Sequence, residues 1–478
     1  MSDMVDHTGA TRGFRARRRS IPRALVNFLA VATFAYGLSL LLTLPWSMKE
    51  AAFSESELAA TGPWGHIKGV LLVMIGTFIL LRWLLIQGLA FAELNRIRRS
   101  HPVESDTLPF VSILVPAYNE SETVVAALQS LIHLDYPAYE VIFVDDGSSD
   151  DTYAKARPIA GKYGRCTVQV FTKPNGGKWS ALNFAYEKAK GDLLLFVDAD
   201  SGLARDALKV MVPRLLSPGV AAVSGQVTIR NRVNMLTRFQ SIEYLLGNGG
   251  MRTALSALGV VTVVPGPIGL YRREILEEIR NLPGNQPKDA TIRRPGDVFG
   301  PLSGETFAED FQLSLSALAL GGRIVYEPRA YAYTKCPEDI SVLMNQRYRW
   351  FRGTWQVYAI YWRQLRHLKK EKIRYLPTIM ALFYPLDIYL VPILNLLFWG
   401  SIALSAASGA SLDDVITWIG SVSLLNVMTA TIYILEQDDE IELLPFVPLL
   451  DLYQSFLVNS AWIVAAIDEV RGTRMKWS

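Results

Sequence analysis

Two aspartates, Asp198 and Asp200, close the apolar run "LLLFVDAD" (Leu193–Asp200) and stand two residues apart. Residues i and i+2 of a strand share a face, so the two carboxylates converge. Such a pair makes a hard-oxygen site for Mg²⁺ or Mn²⁺, completed by diphosphate oxygens and water. The competing reading is a strand-to-helix turn in which Asp200 or Ser201 caps a helix near Arg205. Further polar clusters end other apolar runs, "YNE" (Tyr118–Glu120) and "DDGSSDD" (Asp145–Asp151), and another acidic pair stands in "FAED" (Phe307–Asp310). Taken alone, the Asp-rich turn is explained as well by turn formation. Glu309 and Asp310 would likewise serve as acids at the start of a helix over Asp310–Leu320, where the positive helix end favours carboxylates. The five histidines are scattered, and the two cysteines, Cys166 and Cys336, lack metal-ligand spacing, which argues against a His/Cys metal centre.

The elements that would position these acids are legible between Arg96 and Arg374. Strand-length apolar runs occur at Val111–Ala117, Glu140–Asp146, Thr167–Phe171 and Leu193–Asp200, with helical stretches such as Glu122–His133 and Lys178–Lys190 between them. This alternation predicts an α/β domain with a largely parallel sheet covered by helices, whose ligands bind at the carboxyl ends of the strands. Neither a Gly-x-Gly-x-x-Gly after the first strand nor a Walker loop is present, so dinucleotide and P-loop chemistry are not indicated.

The flanks are apolar. Half of the 478 residues are hydrophobic and the mean hydropathy is +0.20, more than a soluble chain of this size needs. A hydrocarbon core about 30 Å thick is crossed by about 20 apolar residues in a helix. Leu25–Trp46 and Val70–Phe91 meet that length, the second enclosing Arg82, which should face protein or the interface. Arginines precede the first span and follow the second, so both outer ends read as cytoplasmic, and the first span does not resemble a cleaved leader. Apolar runs return at Tyr375–Ala407, Val415–Leu435 and Leu443–Ile467, the first broken by prolines, giving four to six spans in all. The expected organisation is a basic tail (1–24), two spans (25–91), an α/β domain (96–335), amphipathic interfacial helices (336–374), two to four C-terminal spans (375–467) and a tail (468–478). The net charge of +3 makes no case for nucleic acid.

"LVPAYNE", "VDDGSSDDT", "KPNGGKWSALNFA", "GDLLLFVDADS", "FAED" and "QRYRW" follow one another in this order. The series resembles the processive, membrane-integrated family 2 glycosyltransferases: cellulose, chitin, hyaluronan and poly-N-acetylglucosamine synthases, the last being closest in layout. The resemblance implies a GT-A fold inserted between membrane helices, in the plasma (inner) membrane with the catalytic domain cytoplasmic. It implies a UDP-sugar donor, a divalent metal (Mg²⁺ or Mn²⁺) and inverting transfer to a growing β-linked polysaccharide with coupled translocation. UDP-N-acetylglucosamine is the first expectation for the donor and UDP-glucose the next. A small accessory membrane subunit is a further expected partner. The rivals are a non-processive enzyme acting on a membrane lipid, and a transporter or receptor with a degenerate nucleotide-binding domain.

By that resemblance Asp310 is the base, with Glu309 beside it, although Ala308 stands where the family has Thr. Asp200 would bind the metal and Asp198 the donor's ribose or sugar. Asp145 or Asp146 would accept from uracil, with Tyr118 and Glu120 in the same pocket. Lys178, after a flexible "NGG" turn, would meet a phosphate or lie in solvent. Gln346, Arg349 and Trp350, spaced i, i+3, i+4, complete Gln-x-x-Arg-Trp: an indole to stack on a sugar and a guanidinium fork for diphosphate. Tyr348, Phe351, Arg352 and Trp355 would hold the same helix at the lipid headgroups. Arg232, Gln240 and Glu243 receive no role. Val263–Arg273 takes the place of the family's acceptor floor, and Leu282–Thr306 reads as a long loop or lid.

Overall fold

The structure is a computed structural model that describes residues 22–52, 63–99, 108–282, 285, 296–304, 306–367, 389–400, 402–403, 407, 413–437 and 441–473. It divides into two units, Met1–Leu84 with Ser411–Pro448, and Leu85–Ala410 with Leu449–Ser478.

The first unit is helical. Helix Arg23–Ala52 packs on Asp413–Gln437, with Leu80 and Leu425 buried among Tyr36, Leu40, Leu41 and Trp83. Gly37 allows the approach: a Cβ there would lie 2.5 Å from the Trp83 ring. Phe28, Val31 and Leu42 are about two-thirds exposed, as lipid-facing residues of an all-round apolar helix would be. Among the described residues, four helices are long and apolar enough to cross a membrane: Arg23–Thr43, Val73–Arg99, Ile419–Gln437 and Ile441–Val470. Much of the proline-broken run Tyr375–Ala407 lies outside the described residues, which within it include the shorter apolar helix Tyr389–Gly400.

The second unit holds a nine-stranded sheet in the order β3-β4-β2-β1-β5-β8-β7-β9-β6. Its strands are β1 (Val111–Ala117), β2 (Tyr139–Asp145), β3 (Gly161–Tyr163), β4 (Cys166–Thr172), β5 (Leu193–Phe196), β6 (Gly202–Leu203), β7 (Val220–Ile229), β8 (Gly269–Arg272) and β9 (Arg323–Thr334). The run β4-β2-β1-β5 is parallel, and β1 and β2 are buried along their whole length, the signature of a sheet covered on both faces. Successive residues of β1 feed opposite cores: Leu114 packs with Leu182 and Phe196, while Ile113 and Val115 pack with Leu128 and Leu131. Beyond β5 the sheet is mixed, because β8 joins antiparallel to both β5 and β7 while β9 runs parallel to β7. The β7/β9 register slips between Gly225 and Gln226, opposite Glu327 and Tyr331. The skipped residues include Pro328, which has no N–H to give the ladder.

Within this unit the C-terminal end of helix Pro63–Arg99 is held through Glu93. That carboxylate is buried, and it accepts from Arg214 Nη2 at 2.7 Å and Ser256 Oγ at 2.9 Å. Arg96 also pairs with Glu93, at 2.8 Å, so two guanidinium groups neutralise the buried acid, and Arg214 donates as well to the Tyr326 carbonyl within β9.

Candidate active site

The acids meet where β5 and the helix Glu309–Ala319 come together. Lys178, the first residue of helix Lys178–Lys188, places its ammonium 2.7 Å from Asp198 Oδ1 and 3.1 Å from Glu309 Oε1. Burial alone would lower the pKa of this amine, but Asp198, Glu309 and Asp310 outweigh it and hold it well above the ordinary lysine range. Asp310 is pushed up to about 6, first by burial and then by the charge of Glu309, against the pull of Lys178 and of the Phe311 N–H, 2.7 Å from its Oδ1. These groups line a small pocket, whose apolar wall includes Leu182, Phe196, Val264, Tyr271 and Leu302. Gly266 forms its roof. A Cβ there would fall 2.7 Å from Lys178 Nζ and 2.9 Å from Asp198 Oδ2, so a side chain would break the ion pair.

Asp200 does not cap a helix. The chain continues into β6, which pairs with β9, and the next helix begins at Ala207 behind Asp206. Asp200 instead accepts from Ser201 Oγ at 2.8 Å and from Thr334 Oγ1 at 3.3 Å. Burial and then the charge of Asp198 raise its pKa.

The loop acids divide. Asp146 is taken up by the protein: its carboxylate accepts from Lys173 Nζ at 2.6 Å, Gly176 N at 3.1 Å and Gly177 N at 2.7 Å. The "NGG" turn is therefore pinned rather than flexible, and this pinning sets where Lys178 starts its helix. Asp145 accepts from Thr172 Oγ1 at 2.9 Å. Tyr118 is half exposed; the turn after it is knitted to the Asp-rich loop by Asn119, which has φ 57° and accepts from Ser149 N. Glu120 is raised by burial and by the charges of Asp200, Asp198 and Asp150, a field that places it on the same side as the Asp-x-Asp pair.

Gln346, Arg349 and Trp350 lie on a single helix, Ile340–His367. Gln346 is half-buried and Arg349 and Trp350 are exposed. One turn on, Gly353 shares their face, and a Cβ there would come within 2.8 Å of the Ala308 methyl. Thr306 Oγ1 donates to the Gly353 carbonyl, and Gln356 Oε1 accepts from Phe307 N at 3.3 Å. The small Ala308, in place of the family's Thr, thus lets this helix pack directly on the segment that leads into Glu309–Asp310. The opposite face departs from the headgroup expectation. Tyr348 donates to Asp468 at 2.7 Å, Arg352 bonds Glu469 at 3.1 Å and the Thr473 carbonyl at 2.9 Å, and the Trp355 ring lies 4.4 Å from that of Tyr389. Three of the four predicted anchors are therefore held by protein: helix Asn459–Val470 supplies acids to Tyr348 and Arg352, and Tyr389 packs on Trp355.

Residues 112–280 match glycosyl transferase family 2. An N-acetylglucosaminyltransferase of Azorhizobium caulinodans is 32% identical over 276 residues, 56% of this chain and 66% of that protein. A poly-β-1,6-N-acetyl-D-glucosamine synthase of Staphylococcus epidermidis is 30% identical over 248 residues, 52% of this chain and 55% of the other. Residues 112–280 form a glycosyl transferase family 2 domain. The matched part spans between about half and two thirds of these relatives' own lengths. The mannosyltransferase PcManGT of Pyrobaculum calidifontis, solved with GDP-Man and Mn²⁺, superposes with a TM-score of 0.54 at 20% identity, covering 82% of this chain and 99% of that one. The likeness extends to the GT-A arrangement of sheet and helices.

In this glycosyltransferase the donor set fits a divalent cation held in part by the substrate. Among the described residues there is no group of three or more His, Cys, Asp or Glu able to hold a metal. Asp198 and Asp200 would hold Mg²⁺ or Mn²⁺ only together with diphosphate oxygens and water. Lys173, Gly266, Thr334 and Gly353 were not singled out from the sequence. A lysine or glycine offers no periodic signal, and their partners lie tens of residues or more away. Cys166 and Cys336 are both free and buried, away from these acids.

Proposed function

We propose that this enzyme transfers N-acetylglucosamine, with inversion, from UDP-N-acetylglucosamine to a growing β-linked polysaccharide, which it carries across the membrane. The observation that carries the reading is the joining of three motifs at one place. Lys178 bridges Asp198 to Glu309, Asp310 has a pKa of about 6, and the Gln346/Arg349/Trp350 face packs against the segment before Asp310. The relatives' names favour N-acetylglucosamine over glucose.

On this reading Asp310 accepts the proton of the acceptor hydroxyl as that oxygen bonds to the anomeric carbon, and the bond to the UDP oxygen breaks on the opposite side. A carboxylate of pKa about 6 is basic enough to take the proton and still ionised at neutral pH. Glu309 keeps Lys178 in place, and Lys178 then meets the departing diphosphate. Tyr118, Glu120 and Asp145 line the nucleotide side, with Asp146 acting through the turn that it pins. Asp198 and Asp200 would hold Mg²⁺ or Mn²⁺, which supplies charge neutralisation for the leaving group. Arg349 offers diphosphate a planar fork, and Trp350 offers the acceptor sugar a stacking face.

The enzyme would reside in the plasma membrane with this domain cytoplasmic; an accessory membrane subunit is compatible with the reading. The test is purified enzyme offered a panel of UDP-sugars with Mg²⁺ or Mn²⁺, with product analysis. A polymer made from UDP-N-acetylglucosamine supports the reading. A polymer from UDP-glucose alone would move it to a β-glucan synthase, and a single-sugar lipid as sole product would overturn processivity.

A further inference from the structure

Arg347 stands inside the Gln-x-x-Arg-Trp motif without being one of its named residues, and the structure turns it away from Gln346 and Arg349. Its side chain is only 4% exposed, and Nη2 lies 2.7 Å from Glu243 Oε2, on helix Met235–Leu246. The same carboxylate oxygen accepts from the Tyr453 hydroxyl at 3.2 Å. Tyr453 is held in turn by its ring, stacked on Phe239 with centroids 5.2 Å apart and 19° between planes. The guanidinium carbon lies 4.3 Å from the centre of the Trp350 ring.

Three separate stretches of chain thus converge on one buried cation: the helix carrying Trp350, the Glu243 helix, and Tyr453 of the C-terminal apolar segment. A buried arginine is costly unless its charge is met, and Glu243 meets it. Its Nε has no hydrogen-bond partner among the described residues, which fits a guanidinium whose flat side is given to an indole. Trp350, at 41% exposed, has Arg347 on one side of its ring and is open to ligand from elsewhere.

We infer that Glu243, Arg347 and Tyr453 form a support that fixes the plane of Trp350 as the stacking platform for the acceptor sugar, and ties that platform to the C-terminal apolar segment. These are positioning residues: none is required to touch substrate. A rotating indole would still bind sugar, but only in a fraction of its orientations. The support therefore acts on how well the polymer end is retained, not on donor binding. A lysine at 347 would keep the charge for Glu243 and lose the planar stack.

The inference rests on the reading of Trp350 as an acceptor platform, and the experiment separates the two. Enzyme in nanodiscs is assayed for donor KM, rate of UDP release and product length, with thermal midpoints recorded for each variant. Trp350→Ala tests the platform itself. Arg347→Lys and Tyr453→Phe test the support, the second removing only a hydroxyl. The expected result is product shortened by roughly three- to tenfold in both support variants, with donor KM moving less than about twofold. If Trp350→Ala leaves product length unchanged, the platform reading fails. If Trp350→Ala shortens the product while Arg347→Lys and Tyr453→Phe do not, the support inference alone is overturned. If they change length only in step with a lowered thermal midpoint and a raised donor KM, their role is structural and the inference is overturned as well.

Discussion

Asp310 concentrates the chemistry of the site and carries the clearest consequences. Asp310→Asn should cut transfer by about 10²–10⁴-fold, measured as polymer formed from UDP-N-acetylglucosamine, while UDP binding persists. The parent's rate should fall as pH drops through about 6, where the base takes up its proton. The effect on stability has the opposite sign to that of a salt-bridged aspartate. Folding raises this pKa, so its favourable contribution is complete below the unfolded value near pH 4 and is lost as pH rises through about 6. Asp310→Asn should therefore be more stable than the parent at pH 7.5, by something on the order of 1–3 kcal/mol, with the gap closing below about pH 4. Thermal unfolding at the two pH values checks this; a variant less stable at both would contradict it. Asp200→Asn should abolish metal-dependent UDP binding, and chelation with EDTA should do the same to the parent, reversibly on adding Mn²⁺. At this scale the Asp-x-Asp pair and Glu309–Asp310 were legible because their residue types announce chemistry. The choice between Asp145 and Asp146 was not, since adjacent acids look alike until Lys173 and two glycine N–H groups close on one of them.

Helix Lys178–Lys188 does more than deliver Lys178. Asn183 is fully buried, donating to the carbonyls of Val298 and Leu302 at 2.8 and 2.9 Å and accepting from Leu302 N at 3.1 Å. Ser180 bridges Gly296 and Val298 in the same way, at 2.7 and 2.9 Å. The described part of the Leu282–Thr306 loop is therefore strapped to the donor-side helix and brings Leu302 into the pocket wall. Asn183→Ala leaves buried backbone groups unpaired and should cost about 1–3 kcal/mol, with a raised donor KM as Leu302 loosens; unaltered KM and stability would show the strap to be idle. The parallel strands were legible as elements because residues buried on both faces make unbroken apolar runs. β7 and β9 were not: β7 carries Ser224, Gly225 and Gln226, and β9 is interrupted by Pro328. Gln226 is buried there and accepts from the Tyr326 hydroxyl on the neighbouring strand. Helix Ile340–His367 was legible as amphipathic, yet one of its polar faces proved to be a protein contact.

At the scale of the molecule, the four helices among the described residues that are long and apolar enough to cross a membrane predict an integral membrane protein. The protein should stay in the membrane pellet after an alkaline carbonate wash, and recovery in the supernatant would exclude the spans. The amino-acid sequence by itself determined the apolar flanks, the parallel half of the sheet and the order of acidic and aromatic motifs. Those features depend on composition and on short-range period, which a linear reading contains. Only the tertiary structure decided that Lys178 joins Asp198 to Glu309, that Arg352 and Tyr348 meet Glu469 and Asp468, and that Arg347 lies between Glu243 and Trp350. Helical spacing says which side chains share a face. What that face meets depends on partners more than a hundred residues away, and burial then decides whether an arginine is a lipid anchor, a ligand clamp or a structural support.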